Sequence, residues 1–129
     1  MPRQPCRRLC GAFVSQLLTG VIICAAAGLA VAHAIVTWSS LRETPVLAQT
    51  PTTVVLRFNA RIELIFTQVL LSANGQDSPL EFAPGAGPGE VAVTLPPLAP
   101  GAYALRYRLL GADGHFTKDI LWFRVHELR

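Results

Sequence analysis

Beyond residue 32 this 129-residue chain contains no sulfur: its three cysteines, Cys6, Cys10 and Cys24, and its single methionine, Met1, all precede His33. For the body of the protein this excludes thiol catalysis, cysteine-held zinc and disulfide stapling. It also leaves no thioether for a soft metal. Net charge is scarce as well. The formal +3 of the whole chain is carried by Arg3, Arg7 and Arg8, because from His33 onward eight Lys/Arg are balanced by eight Asp/Glu. A neutral body gives no electrostatic reason to expect nucleic acid or anionic lipid as a partner. Internal repeats and low-complexity tails are absent too, and the length suits one domain.

What is present begins with a leader. Arg3, Arg7 and Arg8 form a basic start, Leu9 to Ala32 carries no charge, and Ala30-Val31-Ala32 fits the small-x-small cleavage rule. Residues 1–32 therefore read as a secretory signal peptide and residues 33–129 as the working domain. Two alternatives stay open. The uncharged run is long enough to serve as an uncleaved membrane anchor. A cut after Ala34, which also satisfies the rule, would start the protein at Ile35 instead of His33.

The body reads as all-β. Segments rich in β-branched and aromatic residues, such as "TVVLRF" (Thr53 to Phe58), alternate with turn chemistry such as Asn74-Gly75 and "PPLAPG" (Pro96 to Gly101). Further strands are expected at Ala34 to Ser39, Gln68 to Ser72, Leu80 to Phe82, Glu90 to Leu95 and Ile120 to Val125. "APGAGPG" (Ala83 to Gly89) is expected to be loop throughout. Ile62 to Phe66 fits a strand and a short helical turn equally. The clearest strand is "AYALRYRLL", Ala102 to Leu110. It places Tyr103, Leu105, Tyr107 and Leu109 on one face, and Ala102, Ala104, Arg106 and Arg108 on the other. About seven strands at this spacing predict a β-sandwich, and Gly101-Ala102-Tyr103 suits a tyrosine corner.

The chemistry-bearing residues are few. A cut after Ala32 makes His33 the first residue, and only a first histidine offers both a free α-amine and its own Nδ1 to one ion. Cu(II) favours tetragonal sites of nitrogen and oxygen. His115, in "GADGHF", supplies a third nitrogen, and Asp113 an oxygen, with Gly114 between them letting the backbone turn. The plainer reading is that Asp-Gly is an ordinary turn dipeptide, with Asp113 capping it and His115 solvated. His126, three residues from Arg129, has no comparable partner in sequence and reads as a surface residue.

These residues resemble the CopC-type periplasmic copper-resistance domain. The likeness runs from His33 to about Val125: "HA" at the cleavage site, the pair Ser39-Ser40, Pro51, Val54, Leu56 and Phe58 in a P-x-x-V-x-L-x-F pattern, "LPPLAPGAYALRYRLLGADGH" (Leu95 to His115), and Trp122-Phe123 in a closing strand. The resemblance implies a seven-stranded Greek-key sandwich of immunoglobulin-like or cupredoxin-like form. It implies one Cu(II) per mature chain held by His33, Asp113 and His115, periplasmic localisation, and an inner-membrane copper transporter of the CopD type as partner. This chain departs from the family pattern at Leu41, where proline is common, in "FNARIE" (Phe58 to Glu63), and at Asp119 in "KDILWF". The methionine-rich Cu(I) site of some relatives is not expected, since no methionine follows Met1.

Three functions compete. The first is a periplasmic Cu(II) carrier or buffer in copper resistance or homeostasis, without enzymatic activity. The second is a copper-dependent oxidative enzyme built on an N-terminal histidine. Such enzymes are larger and present a flat aromatic face, whereas here the only tryptophans, Trp38 and Trp122, fall inside expected strands. The third is a metal-free sandwich used for protein contact.

Overall fold

The computed structural model describes residues 33–128; the leader expected over residues 1–32 lies outside the described residues. Nine strands follow in order: β1 (Val36–Ser39), β2 (Val46–Leu47), β3 (Thr52–Phe58), β4 (Ile62–Ala73), β5 (Gln76–Pro79), β6 (Glu81–Pro84), β7 (Glu90–Leu95), β8 (Gly101–Gly111) and β9 (Phe116–His126). They form a four-stranded sheet in the order β1-β3-β7-β6 and a five-stranded sheet in the order β2-β9-β8-β4-β5. Neighbouring strands are antiparallel except β2, which runs parallel to β9. The expected all-β sandwich is the fold observed.

The seven strands read from the sequence are all present, and β2 and β5 are additional. β2 is only two residues long, and β5 lacks β-forming residues. β5 is the polar, fully exposed "QDSP". It pairs with β4 because the Asn74-Gly75 turn, with φ of 51° and 76° at its two residues, folds it back. The short edge strand β6 also runs further than expected, since Ala83 and Pro84 pair with Ala92 and Val91. A proline is tolerated there because an edge strand leaves one row of N–H groups unpaired anyway. Ile62 to Phe66 is part of β4, but the register slips between Glu63 and Gln68. This leaves Ile65 83% exposed and Phe66 54% exposed. A bulge of this kind bends the strand and explains why the segment suits two assignments.

The core lies between the sheets. β3 gives it Val54, Leu56 and Phe58, β7 gives Val91, Val93 and Leu95, and β8 gives Leu105, Tyr107 and Leu109. Each buried aliphatic side chain stabilises the fold by about 1.5–3 kcal/mol relative to exposure. The tyrosine corner is present, with the Tyr103 hydroxyl donating to the Ala99 carbonyl at 2.8 Å. The serine pair also has a local purpose. Ser39 Oγ accepts from the Leu41 amide at 3.2 Å and caps the 3-10 turn Ser40–Arg42, while Ser40 Oγ accepts from the Val55 amide at 3.0 Å and ties that turn to β3. Among the described residues no helix is long and apolar enough to cross a membrane.

Candidate metal centre

The tip of the β8–β9 hairpin is shaped by its own residues. Asp113 Oδ1 accepts from the His115 amide at 3.0 Å. The Gly114 amide donates to the Gly111 carbonyl and the Gly111 amide to the His115 carbonyl, both at 3.0 Å. Gly114 has φ of +82°, a conformation that side-chain-bearing residues rarely adopt. Asp113 therefore does cap its turn, but with one oxygen only. Its other oxygen, Oδ2, lies 3.4 Å from His115 Nδ1. The carboxylate is 29% exposed and the imidazole 53%, so both open to solvent.

The N-terminal segment is delivered to this tip by three separate contacts. Ala34 is 1% exposed, and its Cβ comes 3.8 Å from where a Cβ on Gly111 would stand. The Ile35 amide donates to Asn59 Oδ1 at 2.8 Å, and the Asn59 amide donates to the Ile35 carbonyl at 3.0 Å. Next to Asn59, the Arg61 carbonyl accepts from the Ala112 amide at 3.0 Å. One short loop between β3 and β4 thus grips both the entering chain and the hairpin tip. As a result His33 reaches His115, with ring centroids 6.0 Å apart and planes at 87°.

The structure brings His33 and His115 together, and Asp113 and His115 together. Among the described residues no three His, Cys, Asp or Glu side chains are gathered closely enough to close on an ion as they stand. His126 ends β9 at the opposite end from the hairpin tip and takes no part. Two residues that set this geometry are not legible as site residues in the sequence. Asn59 lies in the "FNARIE" departure and looks like any asparagine after a strand. Gly111 leaves no room for a side chain, because a Cβ there would stand 2.9 Å from Asp113 Oδ1. Its place directly before Ala-Asp-Gly-His is the one sequence signal available. Trp122 does lie in β9 as expected, yet it is 77% exposed.

The chain belongs to the CopC family, whose CopC domain model matches residues 36–126. Among solved structures it is similar to CopC from Methylosinus trichosporium OB3b, with a TM-score of 0.63 and 24% identity over 75% of this chain and 97% of that one. It is also similar to PcoC, a methionine-rich copper resistance protein from Escherichia coli, with a TM-score of 0.57 and 23% identity over 74% of this chain and all of that one. No curated protein matches it.

Proposed function

We propose that this protein is a periplasmic Cu(II)-binding carrier or buffer acting in copper resistance or homeostasis, with one ion per mature chain. The observation that carries the reading is the approach of the His33 ring to His115, beside a carboxylate oxygen that the turn leaves free. Imidazole nitrogens bind first-row divalent ions at about 2.0–2.1 Å, so a centroid separation of 6.0 Å is the scale at which one ion fits between two rings. Once the leader is cut after Ala32, the His33 α-amine and Nδ1 chelate the ion, His115 supplies the third nitrogen, and Asp113 supplies an oxygen. The Cu(II) preference follows from this nitrogen and oxygen set. With no methionine beyond Met1, a Cu(I) thioether site has no ligands. Family membership and the likeness to PcoC, a copper resistance protein, support the same reading. The openness of His115 and Asp113 to solvent favours transfer to an acceptor, for which an inner-membrane transporter of the CopD type is the proposed partner. Nucleic acid is not proposed as one.

The test is electron paramagnetic resonance of the secreted, processed protein with one equivalent of Cu(II), with intact mass on the same sample. The expected result is a single tetragonal, nitrogen-rich signal on a chain that starts at His33. A weak or heterogeneous signal on that chain, or a chain that starts at Ile35, would overturn the proposed site.

A further inference from the structure

The neutral body conceals a local separation of charge. In the β8–β9 ladder Arg106 pairs with Ile120, Arg108 with Lys118, Ala104 with Trp122 and Ala102 with Arg124. Side chains alternate faces along a strand, so Arg106, Arg108, Lys118 and Arg124 all stand on the outer face of the five-stranded sheet. Half of the body's eight cations are thereby gathered on two neighbouring strands. Glu63 stands at the margin of the face, in register with Leu110, and Asp77 meets Arg106 at 3.3 Å. Within the face lies a cleft of about 440 Å³ lined by Asp77, Asp119, Arg106, Arg108, Lys118 and Ile120, among others, so that three cations face two carboxylates there. Arg108 lies over the Phe116 ring, 3.7 Å from its centroid, and so its guanidinium is held in place. Beside the cleft Trp122 is 77% exposed, and nothing in the described residues covers it.

We infer that this face docks an extended, acidic segment of a partner protein, with Trp122 as its apolar anchor. Three physical points select that occupant. Cations two residues apart on one strand stand about 7 Å apart, which is also the repeat of alternate side chains in an extended peptide. Arginine and tryptophan are the side chains that carry most energy in protein interfaces, and a preorganised guanidinium grips a carboxylate through two parallel hydrogen bonds. A lipid surface is flat and uniformly anionic, whereas this face is concave and holds Asp77 among its cations. A peptide can set its acidic residues against the arginines and an apolar one against Trp122. The same hairpin bears Asp113 and His115 at its tip, so a partner seated here lies alongside the proposed metal site. The docking face itself requires no metal.

The experiment uses copper-free secreted protein, so its failure and that of the copper reading are separable. A fluorescein-labelled dodecapeptide of ten glutamates around two central leucines is titrated at low ionic strength and followed by anisotropy. The expected result is saturable binding that weakens at least tenfold in Arg106→Gln/Lys118→Gln and about threefold in Trp122→Ala. Binding should be unchanged in Arg57→Gln on the other sheet. Asp77→Asn should tighten binding severalfold, because it frees Arg106, and a misfolded variant cannot imitate that gain. Equal binding by all variants overturns the proposal. So does full displacement of the peptide by citrate at matched carboxylate concentration, which would define a small-anion site. Phosphatidylglycerol vesicles that bind with the same variant sensitivity, while the peptide does not bind, would reassign the face to a membrane and overturn it too.

Discussion

Asn59 holds Ile35 from two sides, and that grip decides where the first histidine can go. Its side chain takes the Ile35 amide and its own amide meets the Ile35 carbonyl. A single such bond contributes about 1 kcal/mol net. Asn59→Ala should therefore weaken Cu(II) affinity about fivefold, measured by competition with a chelator, while leaving the fold intact. A different residue, Tyr107, bears on stability at high pH. It is 4% exposed, and its hydroxyl has no partner among the described residues. Burial, with the nearby Asp119 carboxylate adding to it, raises its ionisation well above the ordinary value of 10.0. The folded state thus keeps a proton that the unfolded state sheds above about pH 10, and stability falls as pH rises through that range. Tyr107→Phe removes the dependence and leaves no unpaired hydroxyl. Its urea midpoint should equal or exceed that of the native protein at pH 7, and should decline less between pH 9 and pH 11. At this scale His33, Asp113 and His115 are legible in the sequence because each stands out in its local context. Asn59 is not, since its partner lies 24 residues away.

At the scale of elements, the β8–β9 hairpin does most of the organising. Its pairing runs from Gly101↔Val125 to Leu110↔Phe116 without a slip. The strict alternation of "AYALRYRLL" made β8 readable in advance, because one face is buried and the period is two. β5 could not be read that way, as it is a strand by virtue of a turn rather than of its residues. The slip within β4 was equally hidden, because Ile65 and Phe66 are apolar residues that the bulge turns outward. Gly111 ends β8 against the proposed metal site. Gly111→Ala places a methyl 2.9 Å from Asp113 Oδ1, which forces the capping carboxylate to move. The expected outcome is Cu(II) affinity lowered by about tenfold, with a destabilisation of about 1–3 kcal/mol from overpacking. Chelator competition and thermal melts check the two effects separately.

For the molecule as a whole, the lack of sulfur has direct consequences. The processed chain should melt at the same temperature with and without a reducing agent. Copper binding should weaken as pH falls, because the amine and both imidazoles must lose their protons to ligate. A titration series across mild acid checks this. One added residue before His33 should weaken binding by more than tenfold, since the α-amine then becomes an amide; native and extended proteins of equal affinity would refute the chelate. Fold class was legible at this scale because strand periodicity and turn chemistry are local. The meeting of the two histidines was expected from their ligand chemistry and the family resemblance, whereas the packing of Ala34 and the loop at Asn59 that bring it about were not legible.

His33 and His115 are about eighty residues apart in sequence yet meet at one end of the sandwich. An ion held by both closes a loop around nearly the entire domain. From His33 onward the chain has no cysteine, so such an ion would be a removable staple, a cargo that doubles as a structural clasp. At a free copper concentration a hundred times its Kd, that clasp contributes about 2.7 kcal/mol to stability, roughly 10–20 °C in Tm for a domain of this size. On the proposed function, a carrier emptied by its acceptor would become the looser and more readily proteolysed form, so delivery of the metal would also set the lifetime of the protein that delivered it.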